Sequence, residues 1–151
     1  MKKLLLFAAL FTLLFSMVFA DQKLIVFRHG EADNNLQNLF NSNPGHPNYF
    51  VSNLTPQGRR EVRETAKTLI SEGFTNENIA AVFVSPLPRA QQTAEILVQE
   101  GLITPDKIII DKRLNELDVG NLEGKSVITW NDSVAARNHG ESIERLEERI
   151  H

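Results

Sequence analysis

The sequence contains no cysteine, and that absence excludes several chemistries at once. It rules out a disulfide framework, a thiol nucleophile, a thiolate zinc site and a lipid-acylated cysteine, so stability must come from a packed core. An excess of basic residues is also lacking. Setting aside Lys2 and Lys3, the remaining 14 basic residues face 19 acidic ones, a formal charge of −5 for residues 21–151. Nucleic-acid binding normally needs a basic face, so no nucleic-acid partner is expected. No pair of histidines or acidic residues has the spacing of metal ligands on one face, and neither a metal nor another cofactor is expected. Internal repeats and low-complexity tracts are missing as well.

What is present fits one globular domain: 151 residues with 42% hydrophobic and 23% charged. The first twenty residues stand apart. Met1-Lys2-Lys3 supplies a positive start, Leu4 to Val18 an apolar stretch, and Val18-Phe19-Ala20 a small-x-small cleavage site. Residues 1–20 are therefore expected to be a signal peptide and residues 21–151 the folded domain, exported to the periplasm or secreted. The alternative is an uncleaved segment that anchors the protein, since the run approaches the length of a bilayer span. That segment would be the protein's only membrane partner.

Along the domain, Lys23 to Arg28 is a short run rich in β-branched and aromatic residues ending at polar His29-Gly30, the pattern of a buried strand. Residues 34–53 are rich in Asn, Pro and Gly and read as a long loop or irregular lid. Thr55-Pro56 marks a helix start, with Thr at the cap, and Gly73 a stop; Val62, Ala66, Leu69 and Ile70 give a buried stripe. Ile79 to Val84 predicts a strand, Ser85-Pro86-Leu87-Pro88 a turn, Arg89 to about Glu100 a helix, and Ile108 to Ile110 a third strand. Helices are also expected within 126–137 and 141–150. The alternation argues for a parallel sheet covered by helices, with ligands beyond the carboxyl ends of strands, where His29 and Ser85 fall.

Arg28-His29-Gly30-Glu31 is the most informative stretch. A neutral imidazole beside a guanidinium can attack phosphorus while the cation holds the phosphoryl oxygens. Further motifs follow: Leu54-Thr55-Pro56-Gln57-Gly58, then residues 84–94 from Val84-Ser85-Pro86 to Gln92-Thr93-Ala94. After these come residues 115–124 from Asn115-Glu116-Leu117 to Leu122-Glu123-Gly124, and last Gly140-Glu141-Ser142.

In this order the motifs resemble those of the histidine phosphatase superfamily, the phosphoglycerate-mutase-like enzymes, over Lys23 to about Ile150. The resemblance implies a three-layer αβα sandwich with a mostly parallel central sheet, incomplete at its carboxyl end. It implies His29 as a nucleophile that becomes phosphorylated, Arg28 and Arg89 as clamps on the phosphoryl oxygens, and Glu116 as the acid that protonates the leaving oxygen. Asn35, or neighbouring Asn34, falls where relatives place a phosphate-contacting asparagine. Glu31 is a second-tier site residue that can instead cap a helix or pair with an arginine. Gly30, Gly58, Gly120 and Gly124 are assigned structural roles.

Relatives carry a second catalytic histidine in a His-Gly pair after the Gly-Glu-Ser helix. His46, His139 and His151 do not match it and read as surface residues. The chain is thus expected to be a truncated form, unstable or inactive by itself. The expected activity of the parent protein is hydrolysis of phosphate monoesters through a phosphohistidine, on a small phosphorylated substrate. A catalytically inactive phosphate-binding protein is the alternative, with a phosphoglycerate mutase less favoured. Specificity would lie in residues 34–53 and around Trp130.

Overall fold

In a computed structural model of the protein, the residues described are 23–151. The expected signal segment lies outside them. Among the described residues no helix is long and apolar enough to cross a membrane.

The elements in chain order are α1 (Asp33–Gln37), α2 (Pro56–Ser71), β1 (Val82–Val84), α3 (Pro88–Gln99), β2 (Ile108–Ile110), α4 (Asp132–Asn138) and α5 (Ile143–Ile150). Short 3-10 turns at Pro105–Lys107, Lys112–Leu114 and Gly120–Leu122 punctuate the connections. The fold is α/β with a parallel sheet, as expected. β1 and β2 pair in parallel with Val82 opposite Ile108 and Val84 opposite Ile110, and α3 makes the crossover between them.

Local chemistry explains both long helices. Thr55 caps α2, its hydroxyl accepting from Gly58 N–H at 3.0 Å, and Pro56 occupies the first position, where a missing N–H costs nothing. Gly73, at φ 89°, follows the end of α2 in the left-handed conformation that Gly adopts readily. Pro88 starts α3 in the same way. The two helices pack on each other through an apolar cluster of Leu54, Val62, Ala66, Ile96, Leu97, Leu102 and Ile103. Ile70, expected in the stripe, is 41% exposed: Val62, Ala66 and Leu69 keep one helix face, and the next residue lies about 100° further round.

Three local expectations are revised. Residues 23–28 form no strand: Leu24 is 88% and Val26 83% exposed. An extended apolar run becomes a strand only when a neighbour completes its ladder of hydrogen bonds, and among the described residues nothing pairs with it. The strand expected over 79–84 starts only at Val82, because Ile79 N–H turns back to Thr75 O at 3.0 Å. The helix expected over 126–137 starts at Asp132, capped by Asn131, because Ser126 is taken by an antiparallel bridge to Leu39.

That bridge also shows what residues 34–53 do. Their first turn is helical, and the chain then folds back against residues 123–127. Phe40 N–H donates to Lys125 O at 2.9 Å, Gly124 N–H to Phe40 O at 3.0 Å and Val127 N–H to Asn38 O at 2.9 Å. The segment is a loop pinned by these bonds, which brings residues 41–43 against residues 115–124.

Candidate functional site

Four separate stretches of chain meet at His29. The first is the stretch immediately after residues 23–28, which carries His29 itself. The second is the first turn of α3, which carries Arg89; the third is the loop after α1, which carries Asn41; the fourth follows the 3-10 turn Lys112–Leu114 and carries Glu116. Close backbone approach sets His29 against α2. A Cβ at Gly30 would lie 2.3 Å from Gly58 O, and one at Gly58 would lie 2.0 Å from Glu31 O, so the structural roles expected of these two glycines have a steric cause.

The imidazole is held from both sides. Nδ1 lies 2.7 Å from Gly30 O, a carbonyl that can only accept, so Nδ1 carries the proton. Nε2 accordingly presents its lone pair, which accepts from Arg89 Nε–H at 3.0 Å. Burial lowers the His29 pKa from its usual 6.5; the hydrogen bond to Gly30 O opposes this, and the positive charges of Arg89 and Arg28 reinforce it. The ring is therefore neutral at neutral pH, the protonation state a nucleophilic imidazole requires.

Arg89 is 1% exposed. Its Nη1 donates to Asn41 Oδ1 at 2.8 Å and its Nη2 to Asn41 O at 2.9 Å. Glu116 Oε2 lies 3.8 Å from Nη2, at the solvent edge, with half of its side chain exposed. The structure thus brings His29, Arg89 and Glu116 together as the sequence suggested. Arg28 is exposed, near enough for its charge to act on His29.

Asn35 and Glu31 each accept a hydrogen bond within this part of the chain. Asn35 Oδ1 accepts from Ala32 N–H at 2.9 Å at the start of α1. Asn34 is buried, accepting from Ser52 Oγ at 2.8 Å. Glu31 Oε1 accepts from the Thr55 hydroxyl at 2.7 Å, which leaves that oxygen's lone pair free to cap α2. Glu31 contributes here to helix capping rather than to an arginine pair. Among the described residues, His46, His139 and His151 make no hydrogen bond to the His29–Arg89 cluster, and no group of three or more His, Cys, Asp or Glu could hold a metal ion.

Sequence reasoning missed Asn41, which sits among many turn-forming asparagines with nothing local to single it out. It also gave no role to Glu123, which is fully buried and accepts from Ser42 N–H at 2.9 Å, Ser42 Oγ at 2.7 Å and Asn43 N–H at 3.3 Å. Arg149 was missed too. It binds the Glu141 carboxylate at 2.6 Å through Nε and donates through Nη2 to Asn115 O at 2.8 Å, tying α5 to the segment that carries Glu116. A cavity of about 200 Å³ opens on the other side of His29, lined by Phe27, Arg28, Glu61, Val62 and Thr65. Neither Arg89 nor Glu116 lines it, so the hydrogen-bonded cluster around His29, rather than this hollow, defines the candidate site.

Comparison with known proteins follows the same outline. The profile of the histidine phosphatase superfamily (branch 1) matches residues 24–151. A 2,3-bisphosphoglycerate-dependent phosphoglycerate mutase of Azorhizobium caulinodans is 36% identical over 104 residues, covering 69% of this chain and 46% of the relative. Among solved structures, Bacillus stearothermophilus YhfR is 27% identical with a TM-score of 0.58, covering 81% of this chain and 60% of that one. A putative alpha-ribazole-5'-P phosphatase from Escherichia coli has the same fold, at 22% identity and a TM-score of 0.57. The chain spans about half the length of the curated relatives it matches.

Proposed function

The chain belongs to the histidine phosphatase superfamily, and on that premise we propose that it carries the phosphoryl-transfer site of a phosphomonoesterase, with His29 as nucleophile. The observation that supports this most is the Nδ1–H bond to Gly30 O, which leaves the Nε2 lone pair as the only basic atom of the ring. In the first step Nε2 forms a bond to phosphorus as the ester P–O bond breaks, and Glu116 delivers a proton to the departing oxygen. Arg89 and Arg28 take up the negative charge of the phosphoryl oxygens. In the second step the Glu116 carboxylate takes a proton from water as the water oxygen bonds to phosphorus and the P–N bond breaks, so inorganic phosphate leaves with His29 and protonated Glu116 restored. Acid quenching of the protein after incubation with a radiolabelled phosphomonoester tests the assignment. His29→Ala should abolish the labelled intermediate, and label persisting at another residue would overturn the nucleophile.

A second reading is a domain that binds phosphate without turnover. Its support is that no other described histidine joins the cluster, so one donor alone, Arg89, contacts the attacking nitrogen. Binding of phosphate with no phosphohistidine under any substrate would select it. A mutase reading stands third: phosphoglycerate converted between positional isomers with no free phosphate released would select that one. The proposal extends to export, supported by Lys2, Lys3 and the apolar stretch before Ala20. An amino terminus at Asp21 in protein isolated from its cells is expected, and an unprocessed one would refute it.

A further inference from the structure

Arg89 is usefully considered edge by edge. A guanidinium has five N–H donors in one plane, arranged as two forks: an end fork formed by Nη1 and Nη2, and a side fork formed by Nε and Nη2. Here the end fork is filled by Asn41, whose side-chain Oδ1 takes Nη1 at 2.8 Å and whose backbone O takes Nη2 at 2.9 Å. The side fork faces the chemistry: Nε meets His29 Nε2 at 3.0 Å, and Nη2 is 3.8 Å from Glu116 Oε2. Asn41 is itself fixed, being 3% exposed and donating through Nδ2 to Phe50 O at 2.7 Å. Its neighbour Ser42 is anchored by buried Glu123.

We infer that Asn41 is the positioning residue for Arg89, occupying the end fork so that the side fork is turned toward a phosphoryl group lying between His29 and Glu116. The inference rests on the phosphoryl-transfer reading above. Its physical basis is geometric. A long arginine side chain has several rotamers, and a bidentate neutral acceptor at the far end selects one of them without cancelling the cation's charge, as a carboxylate in that place would. The amide oxygen and the main-chain oxygen of one residue provide such an acceptor pair. Phosphate then competes only for the fork nearest the nucleophile, and binding costs little reorganisation.

Two readouts on the full chain test this, with orthovanadate as the phosphate probe. The first is exchange of the Arg89 Nε–H with solvent, followed by NMR; the second is vanadate affinity by calorimetry. In the wild type the Nε–H should be protected, and Arg89→Ala should lose vanadate binding. Asn41→Ala should expose the Nε–H and weaken vanadate by about tenfold or more, the scale of losing hydrogen bonds to a buried charged group. Asn41→Asp keeps both acceptor oxygens and should keep the Nε–H protected; it also decides the matter if Asn41→Ala does not fold. The inference is overturned if folded Asn41→Ala retains Nε–H protection and binds vanadate within twofold of wild type, or if folded Asn41→Asp loses protection. If Arg89→Ala binds vanadate as well as wild type, or if neither binds it, the phosphate-site reading itself fails and takes the inference with it. A loss in Arg89→Ala with no change in Asn41→Ala would leave that reading intact and remove only the role of Asn41.

Discussion

The two sides of His29 are built on different principles. On one side α2 and α3 meet through Leu54, Val62, Ala66, Ile96, Leu97, Leu102 and Ile103, with contacts that are apolar and non-directional. On the other side residues 41–43 meet Arg89 and residues 115–124 through buried polar groups: Asn41 on Arg89, Ser42 and Asn43 on Glu123. Apolar packing tolerates small shifts, whereas a hydrogen bond to a buried donor fixes distance and direction and is costly to leave unmade. The apolar side holds the domain together, and the polar side sets the angle at which charged groups face His29. Arg89 joins the two, its backbone in the packed helix and its head in the polar network.

Mutation on each side should separate these roles. The largest effect is expected from Leu97→Ala, which removes a fully buried side chain from the apolar cluster and should lower stability by about 3 kcal/mol in urea unfolding. A loss below about 1 kcal/mol would show that the helix pair does not carry the fold. Glu123→Ala should cost about 2 kcal/mol by leaving the Ser42 and Asn43 donors unpaired. Its signature is local: amide exchange at Ser42 and Asn43 should accelerate while α2 and α3 keep their protection. Uniform acceleration would mean the two sides unfold as one unit and the contrast is false. Thr55→Ala, which removes the α2 cap and the hydroxyl bonded to Glu31, should cost about 1 kcal/mol.

The smallest effect concerns pH. The folded pKa of His29 lies below its usual 6.5, so the unfolded chain takes up the proton first as pH falls. The stabilising contribution is present above about 6.5 and is lost as pH drops through the folded value. Unfolding measured between pH 7 and pH 5 should show this loss, and His29→Asn should flatten that part of the curve. An unchanged slope would place the ring in a less buried setting than Arg89 and Gly30 O give it.

Much of this was legible in the sequence where the signal is local. Thr55-Pro56 and the Val62, Ala66, Leu69 spacing located α2. The Ser85 to Pro88 turn located the start of α3, and Ile108 to Ile110 matched β2 residue for residue. The motifs around His29, Arg89 and Glu116 also named the three side chains that the fold brings together. Cap residues, proline at a first helical position and short β-branched runs act within a few residues, so they leave a readable trace.

The tertiary structure alone decided the rest. Residues 23–28 have the composition of a strand, but strand formation needs a partner's hydrogen bonds, which composition does not supply. Asn35 Oδ1 meets Ala32 N–H and Glu31 Oε1 meets the Thr55 hydroxyl, and the second of these joins residues 24 apart that no local pattern links. Asn41 reaches Arg89 across 48 residues of sequence, and Glu123 reaches Ser42 across 81. The sequence by itself determined where His29, Arg89 and Glu116 stand within its motifs, because a motif is a local order of residue types. Which edge of Arg89 faces His29 was decided only by folding, because a hydrogen bond depends on the positions of two atoms that nothing local ties together.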